Sequence, residues 1–272
     1  MGSYSGSPVE ALRSAWSNRK LIAMLTKREI LGRYQGSVLG GLWSLINPIL
    51  LLGVYTFVFS VVFQTRWSGG EGSKAEFALL LFSGLIVFNM FSEVVNRAPS
   101  LVLSNANYVK KVVFPLEILS VVSLSCALFH AVISLLVWLV FYSVFISSPP
   151  LTILLVPVML MPLVLISLGA GWLLSSIGVF FRDVSQVIGV LVTTLLFMSP
   201  VFYPVSALPE TYQIILYFNP LTLSIEFMRG VMVQGEVPNL VRFFFYFLES
   251  LFFSMIGFAW FQKTRKGFAD VL

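Results

Sequence analysis

The chain has 272 residues, 58% of them hydrophobic and only 11% charged, with a net charge of +5 and a mean hydropathy of +0.93. That composition excludes an ordinary water-soluble domain, and the length allows six or seven spanning helices with little left for a separate catalytic domain. The single cysteine, Cys126, excludes an intrachain disulfide.

In chain order, the N-terminus is polar and basic as far as Arg33 and lacks the early apolar core and cleavage site of a removable signal peptide. Ala11 to Tyr34 mixes Leu12, Trp16, Leu21, Met24, Leu25, Ile30 and Leu31 with six basic residues. Two readings fit: an amphipathic helix on the inner leaflet, or a plain topology anchor. A first span is expected over about 37–63, then a polar loop carrying Arg66, Gly69, Gly70, Glu71, Gly72, Lys74 and Glu76, then a second span over 77–96. Glu93 and Arg97 near its end have the i,i+4 spacing of an intrahelical ion pair. A connector over 98–116 contains Lys110, Lys111 and Pro115.

From Ile118 to Phe181 the chain runs 64 residues without Asp, Glu, Lys or Arg. At about 20 residues per crossing, this is two spans, 118–146 and 151–181, with a turn at Ser147-Ser148-Pro149-Pro150 where proline stops the helix. Arg182-Asp183 interrupts, a fifth span covers 184–200 and ends at Ser199-Pro200, and the last covers 240–261 before a basic tail with Lys263, Arg265 and Lys266. The segment 201–239 contains an uncharged run, Thr211 to Ile225, too short for a crossing and broken at Asn219-Pro220. With both termini cytoplasmic and six crossings, 13 of the 17 Lys and Arg fall inside and four, Arg66, Lys74, Arg229 and Arg242, fall outside. A seventh crossing would move the basic tail outside, so six fit the positive-inside rule better. The segment 201–239 is then an outer loop that dips back into the membrane under cover of protein.

Several chemistries are absent. There is no G-x-x-x-x-G-K-[ST] phosphate loop, since Gly69 to Lys74 has the wrong spacing and no strand before it. His130 lies on an apolar helix with only Cys126 one turn away, which suits a packed or pore-lining imidazole better than a metal ligand. Embedded carboxylates of the kind that carry coupling ions are nearly missing; Glu249, seven residues after Arg242, is the one candidate.

An ordered set of motifs carries a resemblance. Arg28-Glu29-Ile30-Leu31-Gly32-Arg33-Tyr34-Gln35-Gly36-Ser37 through Trp43, followed by Asn47-Pro48, resembles the N-terminal signature of ABC-2 type polysaccharide export permeases. Asn107 to Glu117 is similar to that family's first cytoplasmic loop, and Phe180-Phe181-Arg182-Asp183 to its turn after span four. Ser199 to Pro204, Leu208-Pro209, Asn219-Pro220 and Phe227-Met228-Arg229 resemble its outer segment.

The resemblance implies an all-α membrane protein with three parts. They are a cytoplasmic tail and amphipathic interfacial helix (1–36), a six-helix transmembrane domain (37–261) with a coupling loop at 98–116 and re-entrant outer helices at 201–239, and a cytoplasmic tail (262–272). It implies no enzyme activity or cofactor in this chain; a separate ABC ATPase subunit, in two copies, binds ATP and Mg. Two permease copies form one pore in the bacterial inner membrane, with membrane lipids around it and no nucleic-acid partner. The implied cargo is a polysaccharide on a polyprenyl diphosphate, O antigen foremost, with capsular polysaccharide and teichoic acid as variants.

The implied sites follow the motifs. Arg28 and Arg33 are placed to guide the lipid diphosphate through bidentate contacts, although arginines at this boundary also snorkel to headgroups without any cargo. Asn107, Tyr108, Lys110, Lys111 and Phe114 would couple to the ATPase. Pro200, Tyr203, Pro204, Tyr212, Tyr217 and Phe218 would form an outer gate whose aromatic faces meet sugar C–H bonds, while an interfacial aromatic belt explains the same residues without cargo. Two other classes remain open: an ABC-2 exporter of small molecules, and an ion-coupled carrier built on Glu249.

Overall fold

The computed structural model describes residues 7–58, 74–111 and 114–272, and among these it is helical, with no strand. Two short helices, α1 (Pro8–Ser17) and α2 (Arg19–Arg33), replace the single N-terminal helix expected, because the chain breaks at Asn18. The Ser7 hydroxyl accepts from the Glu10 amide and Pro8 stands in the first turn, so α1 begins with a satisfied cap and a residue that lacks only a redundant donor.

A 3-10 turn at Gly40–Leu42 leads into α3 (Trp43–Phe57). The end of the expected first span and the loop residues Arg66, Gly69, Gly70, Glu71 and Gly72 lie outside the described residues. Next come α4 (Lys74–Leu101), α5 (Ala106–Lys111), α6 (Ile118–Phe145), α7 (Val156–Met159) after a 3-10 turn, α8 (Met161–Phe180) and α9 (Val184–Met198). The outer segment folds as α10 (Glu210–Tyr217) and α11 (Thr222–Arg229), separated at Asn219-Pro220, followed by one π-helical turn at Gly230–Gln234. The chain ends with α12 (Leu240–Thr264) and α13 (Phe268–Val271).

Among the described residues, five stretches are long and apolar enough to cross a membrane: Gly40–Phe57, Ala75–Leu101, Ile118–Phe145, Leu151–Phe180 and Leu240–Val271. The proline turn at Ser147 to Pro150 falls where the sequence places it. The second span is longer than expected, since α4 continues through Pro99 to Leu101 instead of ending at Asn96. The fifth is shorter: α9 has 15 residues, about 22 Å of helix, against roughly 30 Å of hydrocarbon.

The helix at the centre is α4. Its apolar window is 83% buried, against 28–33% for the windows of α6, of the Leu151–Phe180 stretch and of α12, because it packs against α3, α6, α8, α9 and α11. The closest approaches use glycine. A Cβ on Gly178 would collide with the Pro99 carbonyl of α4, and one on Gly257 of α12 would collide with the Gly169 backbone of α8. Where lipid tails are as apolar as leucine, helices associate through such backbone-to-backbone packing rather than by hiding apolar surface from water. The partners in each contact are main-chain atoms, which cannot rotate away.

Gly257→Ala should therefore force α12 off α8 and destabilise the protein by about 1–3 kcal/mol, as overpacking does. Gly189→Ala on α9, where no neighbour lies within 4 Å, should leave stability within about 0.5 kcal/mol or raise it slightly. Melting temperatures of the two variants in detergent separate these outcomes.

Candidate functional site

The charged residues near the α2 end of the helix bundle gather into two clusters. In the first, Arg33 of α2 contacts Glu93 of α4 at 2.7 Å, and Arg97 of α4 contacts Glu29 of α2 at 2.8 Å. On each helix Glu and Arg stand four apart, the spacing that favours a pair within the helix. The structure instead exchanges partners across α2 and α4. The Glu93–Arg97 pair expected from sequence is thus not formed.

The surroundings of His130 also differ from expectation. Glu93 Oε2 lies 2.9 Å from His130 Nδ1, and the Tyr34 hydroxyl lies 3.1 Å from Nε2. The carboxylate that sequence proximity could not supply arrives from a neighbouring helix. With its proton on Nδ1, the imidazole donates to Glu93 and accepts from Tyr34; Arg33, whose Nη1 lies 3.3 Å from the same Nδ1, finds its acceptor in Glu93 instead. Burial, reinforced by the Glu93 charge and opposed by Arg33, raises the Tyr34 phenol above its ordinary pKa, so its hydroxyl keeps the proton it donates. Among the described residues no group of His, Cys, Asp and Glu could hold a metal ion. Cys126 is buried, its Sγ 3.5 Å from Glu29, and acts as packing beneath the second ion pair.

The second cluster is more deeply buried. Glu117, just before α6, accepts from Ser14 of α1 (2.7 Å) and from Arg265 beyond α12 (2.6 Å), with side chains only about a tenth exposed. The second guanidinium nitrogen of Arg265 donates to the Phe114 carbonyl at 2.7 Å, and the Trp172 indole donates to the Glu117 carbonyl. Phe114 stacks on Tyr108 of α5 with ring centroids 4.4 Å apart, and the Tyr108 hydroxyl accepts from Arg28 at 3.3 Å. Of the expected coupling residues, Tyr108 and Phe114 therefore join α5 to both α2 and the α6–α12 junction. Asn107 lies on α5, and Lys110 and Lys111 close it; the side chains of both lysines lie outside the described residues.

Arg28 and Arg33 do not converge. Five positions on an α-helix are about 140° apart, and the two arginines reach different neighbours, Tyr108 and Glu93.

The expected outer residues fall into two sets. Tyr203 spends its hydroxyl on the Phe197 carbonyl (3.0 Å), and Tyr217 lies under the Arg242 guanidinium at 4.8 Å. Tyr212 and Phe218 stand exposed, while Pro200 is buried and Pro204 bounds a small polar cavity with Gln213, Tyr217 and Glu226. Asn219 ties the break between α10 and α11 to the end of α9 through Met198 and Ser199. Arg229, only 4% exposed, donates to the carbonyls of Leu80 and Val201, which fixes α11 against α4. Arg242 pairs with Glu226 at 3.7 Å and not with Glu249, which borders an apolar cavity with Phe91, Tyr246 and Phe253.

The sequence model of the ABC-2 type transporter family matches residues 20–233, from the first turn of α2 to beyond α11. The chain belongs to this family. It is 25% identical over 253 residues to the O-antigen export system permease protein RfbA of Klebsiella pneumoniae, covering 93% of this chain and 95% of the relative. The RfbA of Myxococcus xanthus is 26% identical over 264 residues (96% and 99%), and the polysialic acid transport protein KpsM of Escherichia coli is 24% identical over 262 residues (93% and 97%). This ABC-2 permease is a multi-pass membrane protein, and its relatives are named for polysaccharide export.

The residues that organise both clusters, Glu29, Glu93, Arg97, His130, Glu117 and Arg265, were not singled out as functional from sequence. A usable signal was present: the Glu-x-x-x-Arg spacing occurs in both α2 and α4.

Replacing Glu117 by Gln removes the carboxylate from a nearly buried Arg265 and should cost about 3–5 kcal/mol, the usual penalty for breaking a buried pair. Arg242→Ala, which opens a long and largely exposed pair, should cost no more than about 1 kcal/mol. Thermal unfolding in detergent distinguishes them.

Proposed function

We propose that this ABC-2 permease is the transmembrane subunit of an ATP-driven exporter that carries a polysaccharide on a polyprenyl diphosphate out of the cytoplasm, with O antigen as the leading cargo. The observation that carries the reading is the end-to-end similarity to O-antigen export permeases, over 93–96% of this chain. The 24% identity to a polysialic acid transport protein favours one second reading, export of a capsular polysaccharide.

In this reading the chain sits in the bacterial inner membrane with both termini cytoplasmic, α9 completes a set of six crossings, and α10 and α11 form a re-entrant outer segment. The amphipathic α1 and α2 lie along the inner leaflet. Support comes from Leu12, Trp16, Met24 and Leu31, which stand exposed beside Arg13, Arg19 and Lys27.

A separate ATPase subunit, binding ATP and Mg, docks at α5 on each of two permease copies. Because Tyr108 and Phe114 connect α5 to α2 and to the α6–α12 junction, a push on α5 moves packed helices as a body rather than bending a loop. Two copies enclosing one pore would also give cover to α3 and α9, whose Leu50, Val54, Val187 and Val190 are more than half exposed.

Arg33, at the membrane boundary and 41% exposed, receives the diphosphate, and Arg28 lies one and a half turns back along the same helix. Tyr212 and Phe218 offer flat faces to a passing glycan, with Pro200, Tyr203, Pro204 and Tyr217 shaping the outer gate.

Deleting this permease from its native cell should abolish surface polysaccharide, and the wild-type chain should restore it. Changing Lys110, Lys111 and Phe114 together to Ala should abolish both restoration and recovery of the ATPase subunit in a mild-detergent pull-down. Restoration by the triple variant would remove α5 as the docking element, and unchanged surface glycan after deletion would overturn the assignment.

A further inference from the structure

Arg33 poses a selectivity problem. A guanidinium at the inner boundary of a bilayer meets phosphodiester headgroups in great excess over any lipid-linked cargo, and arginine binds both bidentately. In this structure the guanidinium is already occupied, with Glu93 2.7 Å away. Arg33 is the more exposed partner, 41% against 18% for Glu93, so a ligand can approach the cation while the carboxylate stays within the helix packing.

Two features make that occupancy reversible. Glu93 has a second partner, His130 Nδ1 at 2.9 Å, and would keep it after Arg33 turns to a ligand. The neighbouring rung, Arg97 with Glu29 at 2.8 Å, would still hold α2 on α4. Arg33 can therefore exchange one anion for another without leaving a buried carboxylate bare or releasing the helix. Cys126, Tyr34, Arg97 and Glu29 are the other titratable groups around this cluster; the one other carboxylate among them, Glu29, is engaged by Arg97 and Cys126.

We infer that Glu93 is a specificity-determining residue, an internal carboxylate that holds the Arg33 guanidinium and yields it to a prenyl diphosphate but not to a phosphodiester headgroup. A phosphodiester carries one negative charge and brings no electrostatic advantage over the carboxylate it must displace. A diphosphate carries at least two, and attraction to a fixed cation scales with that charge. The inference rests on the proposed role of Arg33 as the diphosphate receptor and adds to it the residue that sets the threshold.

The test uses the full-length purified protein in detergent, with three probes: farnesyl diphosphate, farnesyl methyl phosphate as a phosphodiester on the same tail, and inorganic diphosphate as a headgroup without a tail. The wild type should prefer farnesyl diphosphate to the phosphodiester by about tenfold or more, and inorganic diphosphate should compete for the site. Glu93→Gln should tighten phosphodiester binding by about tenfold and bring the two lipids within about threefold of each other. Glu93→Asp, which keeps the charge on a shorter arm, should fall between.

Glu29→Gln opens the other rung without touching Arg33 and should keep the wild-type ratio; a purely structural role for the ladder would make it behave like Glu93→Gln. If Glu93→Gln and Glu93→Asp both keep the wild-type ratio while Arg33→Gln abolishes diphosphate binding, the inference falls and the Arg33 reading stands. If Arg33→Gln leaves diphosphate affinity unchanged, or inorganic diphosphate fails to compete, the receptor reading falls and the inference with it.

Discussion

The crossed ion pairs between α2 and α4 are the constraint on which the rest of this permease depends. An ion in apolar surroundings must be answered by an opposite charge or by hydrogen bonds, and in both of these pairs the answer comes from the other helix. Arg33 with Glu93, and Glu29 with Arg97, tie α2 to the end of α4 while α2 packs along α6. Since α4 is the most enclosed helix, that tie is passed to everything packed around it. His130 and Tyr34 extend the network to α6 and to the chain leaving α2.

The opposite end of α4 is set by different means. Arg229 gives its guanidinium to two backbone carbonyls, one from α4 and one from the segment after α9. Asn219 closes the break between α10 and α11 onto the end of α9, and Tyr246 of α12 donates to the Pro220 carbonyl. Backbone groups released by proline and by helix ends are thus satisfied by side chains, as they must be where water is scarce. Between the two ends, Gly169, Gly178 and Gly257 allow helices to touch backbone to backbone. The result is a bundle with polar clasps at both ends and a close-packed middle, suited to shifting as rigid pieces.

Much of the architecture was legible in the sequence because the bilayer imposes a length and a polarity on every crossing. The charge-free run from Ile118 to Phe181 gave two helices and their proline turn, and Asn219-Pro220 marked a true break. The errors fell where composition changes gradually. The second span runs on to Leu101 because Pro99 is accommodated against Gly178, a contact between residues 79 positions apart. The N-terminal helix breaks at Asn18, a residue whose helix-ending role depends on its side chain reaching back to the Ser14 carbonyl.

By itself the sequence determined the class of molecule, the rough extent of most of its apolar segments, and the family, because hydropathy and motif order are local properties that survive without knowledge of packing. Only the tertiary structure decided the partner of each charge. Glu93 could pair with Arg97 on its own helix or with Arg33 sixty residues earlier, and both choices satisfy local spacing rules. The same is true of His130, which looked isolated until α4 brought Glu93 beside it. Lipid-facing and protein-facing residues are equally apolar in such a chain, so periodicity cannot say which face meets which neighbour. That choice belongs to the few polar groups, and their pairing is fixed by distances in space, which the order of residues does not encode.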